Sequence, residues 1–195
     1  MIRTILVTAA ALLFAIGGGA WLTDVSLRRF DRIGRIEFDG WTANPVNGTL
    51  SADPYSKARL ARDASLSMGA AEGVTFYASK DEDGRPLTSQ CTYLISGQNP
   101  SARLWTLLAL SNSRTRFDRI SDDLPSSLAS ERMVFGKKMA FEIQVSASAR
   151  PGNWLAVPRK TDFTLALNLY DSPVATNKGL VETKLPSVKR ISCDG

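Results

Sequence analysis

The residues predict a mainly β protein: an antiparallel β-sandwich or jelly-roll-like domain with a short helix, preceded by one N-terminal transmembrane helix. Three observations lead there. Ile5 to Leu22 runs for 18 residues without a charge. From residue 73 onward, short runs alternate apolar and polar side chains and are separated by turn residues, the period of strands. Helical spacing occurs once in the remainder, after Asp53-Pro54. With 195 residues, 44% apolar and 22% charged, the chain is long enough for one domain with a substantial core plus an appendage.

In chain order, the uncharged segment comes first. As a helix it spans about 27 Å, close to the ~30 Å hydrocarbon core of a bilayer. Thr8 is its single polar side chain, and Trp21 suits the membrane interface. It reads as an uncleaved signal anchor over residues 1–23, with a signal peptide cut after Ala20 as the alternative. The anchor is preferred because Gly18-Gly19-Ala20 is not an Ala-x-Ala site. Residues 24–39 read as a juxtamembrane linker, and 40–195 as the β-rich domain. The linker's Arg28, Arg29, Arg32 and Arg35 outnumber Arg3 ahead of the helix, which by the positive-inside rule favours a cytoplasmic domain. They equally suit a basic stretch lying on anionic headgroups on the outer side.

Asp53 followed by Pro54 predicts a helix start, with Tyr55, Ala58, Ala61, Ala64 and Met68 as its apolar stripe and Gly69 as its end. "VTFYASK" and "LTSQCTYLISG", joined by "DEDGRP", predict a hairpin. "ARLWTLLALS" is apolar on both faces and predicts a strand covered on both sides. Residues 111–131 are polar and contain Pro125, so a long loop or short helix is expected. "RMVFG" and "KKMAFEIQVSAS" predict a second hairpin through Gly136. "ARPGNW" turns into "DFTLALNLYD", whose Phe163, Leu165, Leu167 and Leu169 share one face, and "LPSVKRISC" closes as an edge strand.

Composition narrows the chemistry. There is no histidine, which removes Ser-His-Asp and Cys-His catalysis and every His-containing metal site. Ser-x-x-Lys, G-x-S-x-G, Walker A and G-x-G-x-x-G are all missing from the sequence. The net charge of +5 is scattered, without the basic-aromatic interleaving of a nucleic-acid platform. No cofactor, metal or nucleic-acid partner is expected.

Candidate sites remain. Cys91 and Cys193, with no C-x-x-C, suit a structural disulfide in an oxidising compartment, or else two separate buried thiols. "DEDG" at 81–84 resembles a calcium-loop fragment but lacks the third ligand and the distal Glu, so a plain turn is favoured. Asp122 and Asp123, beside Arg116 and Arg119, offer paired carboxylates for hydrolysis or simple charge balance. Asn47-Gly48-Thr49 fits a glycosylation acceptor. Trp41, Trp105 and Trp154 could line a cleft for a sugar or amphiphile; plugging the ends of the sandwich is the simpler role. With Arg103 they form the candidate ligand or partner surface.

"GWTANP", "ADPYSKARLAR", "FYASKDEDGRPLTSQCTYLISG", "ARLWTLLAL", "NWLAVPRKTDFTLALNLY" and "LPSVKRISC" occur in that order from about Gly40 to Cys193. In this the chain resembles the short, membrane-anchored members of the domain-of-unknown-function 1214 family. The resemblance implies a β-rich sandwich-like domain in the bacterial envelope, with Cys91 and Cys193 in the family pattern. Residues 111–150 depart from it, carrying "SNSRTRFDRISDD" where an Asn-Pro-Asn-rich loop and an Arg-Tyr-Ser strand are expected. No established reaction comes with the family. Longer relatives join this domain to a companion domain of unknown function, number 1254, which makes a separate chain carrying that domain the expected partner.

The resulting expectation is a non-enzymatic accessory or assembly subunit, anchored by a single pass in the bacterial inner membrane with its main domain in the periplasm. A sugar- or lipid-binding periplasmic module is the alternative, and a carboxylate hydrolase at Asp122 and Asp123 the third reading. Residues 152–171 are then a fold signature rather than a catalytic motif.

Overall fold

The computed structural model describes residues 1–29, 34–62, 66–69, 71–117, 124–173 and 184–193. Helix α1 (Ile2–Arg29) is longer than the uncharged segment. Its stretch Ile2–Leu27 is long and apolar enough to cross a membrane, exposed over its N-terminal part and buried at Leu27, where it meets the domain. The hydroxyls of Thr8 and Thr23 donate back to carbonyls one turn earlier, so neither is left unsatisfied in an apolar surround. Residues 24–29, expected as linker, continue this helix.

The domain is mainly β and built from two facing sheets, as expected. One has six strands in the order β1-β2-β3-β9-β5-β6: Ile36–Phe38, Trp41–Ala43, Gly73–Ala78, Thr164–Tyr170, Leu104–Leu110 and Ser127–Ala129. The other has four in the order β10-β4-β7-β8: Ser187–Cys193, Cys91–Gln98, Ala140–Ser146 and Trp154–Ala156. Strand β9 is the centre of the larger sheet. Leu165, Leu167 and Leu169 stand opposite Ala78, Phe76 and Val74 on β3, and opposite Ala109, Leu107 and Trp105 on β5. All nine are buried. The smaller sheet answers with Tyr93, Ile95, Ile143 and Val145, each fully buried. Trp105 meets Phe141 across the layers with ring centroids 4.8 Å apart, and Tyr93 meets Phe163 edge-on at 5.7 Å.

Both predicted hairpins are corrected. Strand β3 pairs with β2 and β9, whereas β4 belongs to the other sheet. The turn at 80–86 does close on itself, Asp81 N donating to Arg85 O at 2.9 Å, but Leu87 then carries the chain across the core. A local turn signal specifies reversal, and the apolar face of β9 decides which strand β3 pairs with. Likewise Gly136 N donates to Ala140 O at 2.7 Å, yet β7 pairs with β4 and β8 rather than with residues 132–136. The β7–β8 pair is parallel. Strand β6 arises inside the stretch expected as loop or helix and pairs with β5. Strand β5 buries one face only, Trp105, Leu107 and Ala109. As expected, β10 is an edge strand.

The predicted helix start is correct and its buried face is not. Helix α2 covers Pro54–Arg62, and Tyr55, Ala58 and Ala61 are exposed while Ser56 is buried. The sheet surface beneath it is polar, so polar side chains face the domain.

Candidate functional site

The outward face of the six-stranded sheet presents Thr42, Thr75 and Tyr77, which alternate with core residues along β2 and β3. Thr75 Oγ1 donates to Asn168 Oδ1 at 2.8 Å and Asn168 Nδ2 to Thr106 Oγ1 at 3.1 Å, a polar ladder across three strands. Helix α2 stands over one side of this face and the loop 111–115 over the other. Between them lies a cleft of about 770 Å³.

Each wall has a local cause. Asp53 Oδ1 accepts from the amides of Tyr55 at 2.9 Å and Ser56 at 3.0 Å, satisfying the first turn of α2. The hydrogen bond with the Ser56 side chain is the largest influence holding the Asp53 carboxyl below its usual range. Burial opposes it, and the two amides and the more distant Arg59 charge add to it. Arg59 is fixed one turn along, its Nη2 donating to Ser56 Oγ at 3.0 Å and its Nη1 to Leu27 O of α1 at 3.4 Å. Arg62 pairs with Asp24 of α1 at 3.4 Å. The end of α1 is thereby tied to the wall of the cleft.

The opposite loop is tight. Ser111 N donates to Thr115 O at 2.9 Å, Arg114 N donates to Ser111 O at 2.8 Å, and the Ser111 hydroxyl lies 2.8 Å from those of Ser113 and Thr115. This leaves Arg114 at φ 61°, a left-handed conformation unfavourable for a long side chain. The guanidinium carbon sits 4.2 Å from the centroid of the Tyr77 ring, a cation–π contact that offsets part of that cost.

Arg35, Arg59 and Arg114 line the cleft, and among the described residues no Asp or Glu does. Asn47 also lines it, and its buried Oδ1 has no hydrogen-bond partner among the described residues. Leu60, Leu66 and Met68 supply an apolar side. A recess with fixed positive charge, a hydroxyl-rich floor and one greasy wall fits a polar or anionic ligand that also has an apolar part. A second, more open groove of about 730 Å³ lies on the smaller sheet near Phe141 and Asn153. Asn153 there is held by backbone groups, its Oδ1 accepting from Val134 N and its Nδ2 donating to Val134 O and Glu142 O.

The sequence-derived candidates are not gathered at either recess. Trp41 and Trp105 are 0% and 1% exposed, and their indole N–H groups donate to Pro186 O and Asn99 Oδ1, both at 2.7 Å. As residues of a ligand or partner surface they are therefore corrected: both are core side chains, as the end-plug alternative holds. Trp154 is half-buried and donates to Ser146 O at 3.2 Å. Arg103 pairs with Asp171 at 3.1 Å on the open surface, a contact of small energetic weight. Asp122, Asp123 and Arg119 lie outside the described residues, and Arg116 is exposed.

Cys91 and Cys193 face each other across the β4–β10 pair and are joined as a disulfide. Asp81 of "DEDG" is a structural clamp. It accepts from the amides of Asp83 at 3.1 Å and Arg85 at 2.8 Å, and pairs with Arg190 of β10 at 2.9 Å. Asn47, noted as a glycosylation acceptor, is among the residues lining the cleft. Arg59, Arg114 and Tyr77 were not read from the sequence. The available signal was a Ser-, Asn- and Arg-rich loop directly after the most apolar strand.

Comparison with one solved structure agrees with this architecture. The VPA0106 protein of Vibrio parahaemolyticus, a solved structure, matches 73% of this chain at 20% identity and a TM-score of 0.58. The match covers 36% of that protein, so the chain spans little more than a third of its length. An uncharacterised protein from Burkholderia cenocepacia aligns over 93% of this chain and 52% of its own, at 16% identity and a TM-score of 0.39. No curated protein matches the chain. A family model described as a protein of unknown function (DUF1214) matches residues 72–174, more than half of the 195 residues and inclusive of the divergent stretch 111–150. The chain therefore belongs to the DUF1214 family of proteins of unknown function.

Proposed function

We propose that this protein is a membrane-anchored binding module of the bacterial envelope, with the cleft between α2 and the 111–115 loop as its ligand site. The observation that carries this reading is three arginines on a recess of about 770 Å³ whose lining, among the described residues, holds no carboxylate. Anchoring rests on α1, and a periplasmic placement on the disulfide, which persists in oxidising compartments. The test is native mass spectrometry of the protein extracted gently from its host membranes. A small-molecule adduct is expected; protein that arrives bare at every extraction strength removes the reading.

One observation favours a second reading, an assembly subunit. A structurally similar protein is nearly three times as long as the matched part, which supports a role beside further protein, for which a separate chain carrying the companion domain 1254 is the candidate. A stoichiometric protein partner in the same spectrum, without any small molecule, would favour it.

A further inference from the structure

We propose that the cleft grips the net-anionic phosphate headgroup of a membrane lipid, with Arg114 and Arg59 as the residues that hold it. This deepens the binding reading above and rests on it. Depth in the membrane comes first. The candidate span Ile2–Leu27, which includes Arg3 and Asp24 at its ends, covers 26 residues, about 39 Å of helix. That exceeds a ~30 Å hydrocarbon core, so its last turns pass through the headgroup layer. Those turns are the ones tied to the cleft wall: Arg59 reaches Leu27 O, and Arg62 reaches Asp24. The cleft is thus held at headgroup depth.

Its rim is shaped for that place. Leu50 and Leu66 are fully exposed to water, Leu66 on the cleft itself and Leu50 beside α2, where its carbonyl accepts from Lys57 Nζ at 2.9 Å. Two bare leucines near the cleft are costly in water and favourable at a lipid interface. The charge then selects the headgroup. The hydrogen bonds of Arg59 go to neutral oxygens and Arg114 is stacked on a ring, and among the described residues no carboxylate lines the cleft beside either guanidinium. Planar guanidinium forks match phosphate oxygens, and the hydrogen bonds they make are charge-assisted.

The experiment uses the full chain in mixed detergent micelles containing phosphatidylglycerol or phosphatidylcholine, with lipid retention read by native mass spectrometry. Arg114→Gly is the principal variant, because glycine suits the left-handed backbone there and removes the guanidinium without straining the loop. Arg59→Gln is the second, and Lys189→Gln on exposed β10 controls for net charge. Phosphatidylglycerol is expected to be retained about tenfold better than phosphatidylcholine, a preference that falls about tenfold in Arg114→Gly and is unchanged in Lys189→Gln. Equal retention of the two lipids, or a preference that survives Arg114→Gly, overturns the proposal. Binding of glycerol 3-phosphate without lipid preference overturns the lipid source in favour of a free phosphate ester. A neutral amphiphile bound by the wild type and lost in Arg114→Gly rejects the anionic headgroup yet keeps the cleft as the site. An adduct indifferent to both cleft variants removes the site as well.

Discussion

Asp81 has a side chain with no solvent exposure and two cationic neighbours, Arg85 and Arg190, of which Arg190 is itself only 17% exposed. Burial works against its ionisation, but the Arg85 amide and the charges of Arg190 and Arg85 outweigh it, holding the carboxyl below the usual range. Its folded pKa is therefore depressed. The stability it contributes is fully present above the unfolded value of about 3.9 and is lost as pH falls through the lower folded value. Asp81→Asn is expected to cost about 3 kcal/mol near neutral pH, a fall in Tm of roughly 10 °C. The gap between wild type and variant should narrow as pH drops below about 4. A thermal melt series of the detergent-solubilised protein measures both; a gap constant from pH 7 to pH 3 would reject the linkage. The motif that carries Asp81 was legible in the sequence as a turn. Its partner Arg190 was not, because the two lie more than a hundred residues apart and meet through sheet pairing.

Helix α2 shows why an element can be foreseen while its role is missed. The Asp53-Pro54 start follows from backbone chemistry that any sequence carries locally: a side-chain acceptor for orphan amides, then a residue that needs no amide hydrogen. The face it turns inward depends on what lies beneath it. Here that is a polar sheet surface, so Ser56 and Arg59 point inward, and the apolar stripe of Tyr55, Ala58 and Ala61 points out. An exposed nine-residue helix leans heavily on its cap. Asp53→Ala is expected to destabilise α2 by about 1 kcal/mol, with faster hydrogen exchange at the Ser56 and Lys57 amides while the β9 amides keep their protection. Uniform loss of protection across the domain would show instead that the cap supports the whole fold. At the opposite strand edge, Gly73 cannot be replaced cheaply: a Cβ there would lie 2.1 Å from Leu169 O.

For the whole molecule, the disulfide joins β4 to the edge strand β10 and closes a loop with a sequence separation of 102. In the chain-entropy picture such a loop stabilises by as much as about 4.7 kcal/mol. Reduction, or Cys193→Ser, is accordingly expected to lower Tm by roughly 10 °C or more, measured with and without reductant; an unchanged Tm would mean that β10 holds its place by pairing alone. Strand alternation, turns, the apolar N-terminal segment and the cysteine pair were all readable along the chain, because each is set by residues close in sequence or by side-chain chemistry alone. That suffices for a mainly β, two-layered domain behind a helix of membrane-spanning length. Strand partners were decided by tertiary structure, since β3 and β4 carry the same alternation and the buried face of β9 chooses between them. The tryptophans illustrate the same limit: an indole near a strand end reads equally as lip or plug until its burial is known. The cleft lay furthest from reach. Arg59, Tyr77 and Arg114 come from a helix, a strand and a loop with no common local signal, and only the packing of those elements over one sheet face brings their charges and ring together.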